Sequence, residues 1–192
     1  MTARLILVCH ASTDAVRKVA FPSNEPIDDM GRTRAAALAG HLPDADRYWM
    51  SPELRTRQTA EALRIKAIAL STLRDCDYGL WTGRSFDDVN TRDPAAVSTW
   101  LRDAAATPHG GESILSLMQR VAEWLGGEHA HHQQSIVVTH ATIIRAAIVH
   151  AIEAPPQSFW RIDIAPLSIT RLSGANSRWN LDSAGCAISG GR

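Results

Sequence analysis

Three positions in this 192-residue chain carry side chains suited to phosphoryl chemistry, and each stands where one structural element hands over to the next. The apolar run Leu5-Ile6-Leu7-Val8 leads into Cys9-His10-Ala11-Ser12-Thr13, and Ile136-Val137-Val138 leads in the same way into Thr139-His140-Ala141-Thr142. At Ser51-Pro52-Glu53-Leu54-Arg55 a guanidinium enters the first turns of a helix, where free backbone N–H groups and the helix dipole favour an anion. Neutral imidazole is a competent nucleophile at cellular pH. A lone His at a strand end is usually a structural hydrogen-bonder, and a lone Arg usually a surface charge. The repeated strand-to-His grammar is what singles out His10 and His140. With Arg55 they make a phosphate-sized site.

The elements that must position these groups follow from periodicity and punctuation. The runs at Leu5–Val8 and Ile136–Val138 read as strands buried on both faces of a parallel sheet. Arg47–Met50 and Ile65–Leu70 read as further strands, and Ile162–Ile164 and Ile169–Leu172 as strands at the far edge. Asp28 is placed to cap a helix through Leu38 that Gly40 ends, and Ser51-Pro52 reads as a helix start with the hydroxyl as cap. Asp87–Asn90 and Pro94–Asp103 read as short helices. Ile114, Leu117, Met118, Val121 and Leu125 recur at spacings of three and four, giving a helix with one apolar face that Gly126-Gly127 stops. Ile143–Ile152 reads as another helix. Strands alternating with helices imply an α/β fold with a mostly parallel sheet, whose ligands bind beyond the carboxyl ends of the strands. One domain over residues 1–182 and a frayed tail over 183–192 complete the expected organisation.

Composition narrows the partners. Lys plus Arg number 20 and Asp plus Glu number 20, so the net charge is zero and a general nucleic-acid binder is not expected. No window approaches the roughly 18 apolar residues of a membrane span, and no signal peptide is read, so a cytoplasmic domain is expected. Cys9, Cys76 and Cys186 are odd in number and far apart, which argues for free thiols. His129, His131 and His132 cluster without the partners of a zinc site and read as a solvated loop. The six tryptophans are scattered, and Trp81 alone lies where it could touch a substrate.

At this point the residues carry a resemblance to the histidine phosphatase superfamily, which includes cofactor-dependent phosphoglycerate mutases and alpha-ribazole phosphatases. The Leu-Val-Cys9-His10-Ala11-Ser12-Thr13 segment resembles that family's Leu-Val-Arg-His-Gly-Glu-Thr signature. Ser51-Pro52-Glu53-Leu54-Arg55-Thr56-Arg57-Gln58-Thr59-Ala60 resembles its second motif, and Leu73 to Gly83 its acid-bearing segment. Gly110-Gly111-Glu112-Ser113 and Val137-Val138-Thr139-His140-Ala141 complete five motifs in family order, spanning about Leu5 to Leu181. The resemblance implies a phosphoglycerate mutase-like three-layer α/β/α sandwich. It implies His10 as a nucleophile that becomes phosphohistidine, Arg55 and His140 as phosphate ligands, and Asp75 as general acid and then base, with Asp77 the alternative. No metal and no cofactor are expected. The partners implied are a small phosphomonoester or inorganic phosphate, with a homodimer left open. The short middle segment is nearer the alpha-ribazole phosphatase branch, so a hydrolase is favoured over a mutase.

The match breaks at three places. Cys9 stands where the family has Arg, and a thiol cannot give a phosphate the forked hydrogen bonds of a guanidinium. Loss of one preorganised donor costs about 10²–10³ in rate. Ala11 and Ala141 replace glycines, which strains the backbone only if φ there is positive. Arg17, Lys18, Arg84 and His109 are candidates to replace the missing charge. Two competing readings accompany the phosphatase: an impaired phosphate-binding or regulatory protein, and thiol chemistry at Cys9 and Cys76, where an adjacent imidazolium would lower the thiol pKa.

Overall fold

A computed structural model describes residues 2–127, 132–175 and 178–188. Six strands form one sheet in the order β3-β2-β4-β1-β5-β6. They are β1 (Ala3–Cys9), β2 (Arg47–Met50), β3 (Ile68–Ala69), β4 (Gln134–Thr139), β5 (Ser168–Ala175) and β6 (Arg178–Ala187). The pairs β3/β2, β2/β4 and β4/β1 are parallel, whereas β1/β5 and β5/β6 are antiparallel. The sheet is therefore mixed, with its parallel part where the His-bearing strands lie.

The two-residue period of β1 and β4 divides the core. Leu5, Leu7, Cys9 and Val137 pack with Ile114, Leu117, Val121 and Ile143, the apolar faces of α6 (Ile114–Gly126) and α7 (Ala141–Ala151). Ile6, Val8, Ile136 and Val138 pack on the other face with Ala35 of α2 (Asp29–Ala37) and Ala60 of α3 (Leu54–Ala62). Each fully buried Leu or Ile here contributes about 1.5–3 kcal/mol. Helices on both faces of the sheet make three layers. Short helices α1 (Asp14–Arg17), α4 (Phe86–Arg92) and α5 (Pro94–Arg102) complete the chain.

Several local expectations are met: the Asp28 side chain accepts from Gly31 N–H and caps α2, and Gly40 takes φ +80° after it. Three differ. Ser51 does not cap a helix; α3 starts at Leu54 after Glu53, and the Ser51 hydroxyl donates instead to the Glu53 carboxylate. Ile162–Ile164 is not a strand, because it follows a 3₁₀ segment at Pro156–Arg161 and the Ile162 carbonyl accepts from the Arg145 Nε at 2.7 Å. The chain beyond residue 182 continues as strand to Ala187, paired with β5, and Ile188 is buried; residues 189–192 lie outside the described residues. Among the described residues no helix is long and apolar enough to cross a membrane.

Candidate active site

Register explains how two distant histidines meet. Cys9 pairs with Thr139 in the parallel β1/β4 ladder, and the His10 N–H donates to the Thr139 carbonyl at 2.9 Å. The next residue on each strand is therefore His, and the two rings lie 5.3 Å apart, edge to face. His140 is the residue before the first turn of α7.

The His10 ring is fixed as one tautomer. Its Nδ1 lies 2.7 Å from the Ala11 carbonyl, which only accepts, so Nδ1 carries the hydrogen and Nε2 the lone pair. Burial, then the nearby His140 and Arg55, push the His10 pKa down to about 3. His10 is a neutral imidazole throughout the physiological range. The following Ala11 N–H donates to Thr59 Oγ1 at 2.9 Å. Neither Ala11 nor Ala141 is among the residues with positive φ, so alanine at these former glycine positions carries no backbone strain.

Arg55 is 2% exposed. Its Nη2 donates to Asp75 Oδ2 at 2.6 Å, while Nε and Nη1 are buried with no partner. Each such orphan donor costs about 1–3 kcal/mol, and an anion is what would satisfy both. Asp75 lies in the loop after Leu73, and its Oδ1 accepts from the Thr142 hydroxyl and from Cys76 N–H. Burial acts to raise its carboxyl, but His140, Arg55, Thr142 and Cys76 N–H outweigh it and hold the group ionised. His140 sits between two carboxylates. Its Nε2 is 2.8 Å from Ser51 Oγ and 3.2 Å from Glu53 Oε2, and its Nδ1 is 3.4 Å from Asp75 Oδ2. Glu53 Oε1 also accepts from Asp75 N–H at 3.1 Å.

The acid-bearing loop is held by a close backbone approach. Gly79 has φ +47°, and a Cβ added to it would lie 2.2 Å from the His109 carbonyl; one on Gly111 would lie 2.1 Å from the Asp77 carbonyl. Neither position admits a side chain. The Gly110-Gly111 motif thus clamps the segment that carries Asp75.

A cleft of about 160 Å³ opens onto these groups, lined by His10, Arg55, Asp75, Tyr78, Thr142, Arg145 and Glu25, with Ala15, Val16, Ala20, Pro22 and Ala141 completing its wall. Other sequence candidates lie elsewhere. Asp77 caps its own loop by accepting from Gly79 N–H. Arg17 pairs with Asp14 and Asp28, Lys18 with Asp14, and Arg84 is exposed. His109 and Trp81 pack against each other, with ring centroids 5.0 Å apart, in an aromatic cluster with Phe21 and Trp100. Their burial gives the aromatic core its density and takes Trp81 out of the cleft, where Tyr78 stands instead. Cys9 points with Leu5 and Leu7 into the α6/α7 layer, and burial, then Asp75, push its thiol up to about 12. The Cys76 thiol is raised for the same first reason. The expected lowering of a thiol pKa beside His10 is therefore reversed, since burial disfavours the thiolate and His10 carries no charge. His129 and His131 lie outside the described residues, and His132 packs beside Trp49 with ring centroids 6.2 Å apart.

Sequence reasoning missed Glu53, Tyr78, Arg145 and Glu25. Thr142 and Arg145 were readable: they are three apart on a helix whose other residues from Ile143 to Val149 are apolar and buried, so they define one polar stripe.

The sequence profile of the histidine phosphatase superfamily (branch 1) matches residues 5–187. The chain belongs to this superfamily. The bifunctional protein Rv2228c of Mycobacterium tuberculosis is 30% identical over 192 aligned positions, covering 91% of this chain and 52% of the relative. The chain thus spans about half the length of that relative. Phosphoserine phosphatase 1 of Hydrogenobacter thermophilus is 28% identical, covering 82% of this chain and 80% of the relative. The fold is similar to that of the alpha-ribazole phosphatase from Shigella flexneri, with TM-score 0.83 at 22% identity over 97% of this chain and 98% of that one. Phosphatases are thus among the relatives of this chain.

Proposed function

We propose that this histidine phosphatase superfamily member hydrolyses a small phosphomonoester through a phosphohistidine at His10. The observation that carries the reading is the pairing of a neutral His10, with its free Nε2 in a cleft, and two unpartnered buried donors on Arg55 in the same cleft. In the proposed sequence the Nε2 lone pair attacks phosphorus in line, and the P–O bond to the leaving alcohol breaks. Arg55 and His140 hold the phosphoryl oxygens, and Arg145 adds the second guanidinium of the cleft where Cys9 supplies none. Asp75 gives its proton to the leaving oxygen. It then takes a proton from water, whose oxygen attacks phosphorus as the P–N bond breaks and the electron pair returns to His10 Nε2.

Asp75 is ionised in the free protein, so the proton for the first step arrives with the substrate monoanion. Contact with the phosphoryl group also draws Arg55 and His140 away from Asp75, raising its affinity for that proton. Glu53 is the positioning residue of the set, since it holds both the His140 ring and the Asp75 backbone. Steady-state hydrolysis of an aryl phosphate by wild type and His10→Ala, without added metal, tests the reading. Turnover lost in His10→Ala supports it. Equal turnover in both, with vanadate still bound, moves the assignment to a phosphate-binding protein.

A further inference from the structure

The cleft that holds the unpartnered Arg55 donors also holds an unpartnered acceptor. Glu25 stands in the wall between this cleft and a neighbouring one bounded by Asp14, Arg17 and Asp28, and its Oε1 is buried with no hydrogen-bond partner. Its other oxygen, Oε2, accepts from Ser23 N–H at 2.8 Å, which fixes the carboxylate. Arg17, the cationic side chain that shares the neighbouring cleft with Glu25, is bound to Asp14 and Asp28.

The segment carrying Glu25 is held by three hydrogen bonds. Phe21 N–H donates to the Arg84 carbonyl at 2.9 Å, and Asn24 Oδ1 accepts from Leu54 N–H at 2.7 Å. Ile27 N–H donates to Gln58 Oε1 at 3.0 Å, and Asn24 takes the left-handed φ of +66° that asparagine tolerates. Two of these three ties run to α3, the helix of Arg55. The position of the carboxylate relative to the guanidinium is therefore built into the fold.

An orphan donor set and an orphan acceptor in one small cleft ask for a ligand with two different ends. Phosphoryl oxygens satisfy Arg55. A hydrogen-bond donor on the leaving group satisfies Glu25, and a cationic donor satisfies it best because the charge is also paired. A leaving group bearing a carboxylate would meet like charge there. The cleft of about 160 Å³ has room for a phosphoryl group and a small leaving group between these two ends.

We infer that Glu25 selects the leaving group, and that the substrate is a small alkyl phosphomonoester carrying an ammonium or hydroxyl group close to the ester oxygen. This rests on the phosphatase reading above and adds the chemistry of the alcohol. Three phosphomonoesters of nearly equal size test it: O-phosphoethanolamine, ethylene glycol monophosphate and 2-phosphoglycolate, whose far ends are cationic, neutral and anionic. Wild type should follow that order in kcat/KM, with about tenfold or more between the extremes. Glu25→Gln should bring the ratio of the extremes close to one, whatever the absolute rates.

A wild-type ratio near one, or a preference for 2-phosphoglycolate, overturns the inference and needs no variant. So does a Glu25→Gln protein, folded by circular dichroism, that keeps the wild-type ratio. Hydrolysis of an aryl phosphate in the same preparations, lost in His10→Ala, reports separately on the phosphatase reading. Turnover of the aryl phosphate with none of the three alkyl esters hydrolysed therefore refutes the substrate class alone.

Discussion

Replacing Arg55 with methionine separates the two things that this guanidinium does. The change keeps roughly the side-chain volume, so no large cavity opens. It removes the 2.6 Å ion pair to Asp75 and both unpartnered donors. Breaking a buried pair costs about 3–5 kcal/mol, and Asp75 keeps Thr142, Cys76 N–H and His140 as partners. Deleting two orphan donors returns part of that cost, about 1–3 kcal/mol each. The two effects offset to within about 3 kcal/mol, so Tm should move by no more than about 10 °C in a domain of this size. The rate effect is larger, because an Arg on a transferring phosphoryl group is worth about 10³–10⁵. Thermal melts with and without inorganic phosphate, beside kcat/KM on an aryl phosphate, measure both. Wild type should be stabilised by about 2.7 kcal/mol at 100 times Kd, and Arg55→Met should show no such gain. Adding Asp75→Asn to Arg55→Met should recover stability without recovering turnover. A folded Arg55→Met protein that turns over within tenfold of wild type, or that phosphate still stabilises, refutes the reasoning.

Because Arg145 supplies the second guanidinium of the cleft and Cys9 points into the core, Cys9→Arg should leave kcat/KM within about tenfold while overpacking lowers Tm; a folded variant about 10²-fold faster, the worth of one preorganised donor, contradicts that role for Arg145. Because Asp75 stays ionised in the free protein, log kcat/KM on an alkyl phosphate should fall with unit slope above pH about 6, where the substrate monoanion is lost, and a flat profile to pH 8 contradicts that proton route. Stability should also depend on pH through His10. Its folded pKa of about 3 lies below its ordinary 6.5, so the unfolded chain binds the extra proton between these values, and the protein loses stability as pH falls from about 6.5 toward 3. Chemical denaturation at pH 7 and 5 measures this, and His10→Gln should flatten the dependence.

Much of the site was legible because its parts sit on regular elements. Two buried apolar runs, each ending in His, needed only parallel pairing in register to bring the rings together, and β1 and β4 pair that way. The same period of two explains Cys9, whose side chain follows Leu5 and Leu7 into the core. Ser51 was misread because hydroxyl-proline is a general helix-start signal, whereas its hydroxyl serves the Glu53 and His140 contacts here. The strand β6 was hidden by Asn180, Asp182, Ser183 and Gly185, which read as turn residues until β5 provides their partner. Glu25 joins the site through tertiary approach of its loop to the strand ends, and no local periodicity encodes that meeting. Trp81 and Tyr78 are three apart in one irregular loop, so which of them faces the cleft depended on how that loop closes over Gly79.

The covalent intermediate is the most direct test. Wild-type protein mixed with an excess of aryl phosphate and quenched in base, where the P–N bond survives, should carry one phosphoryl group that peptide mapping places on His10. His10→Ala should carry none, and Asp75→Asn should accumulate more of it, because water attack then lacks its base. A wild-type protein that turns over substrate with no label on His10, or with label elsewhere, contradicts the account.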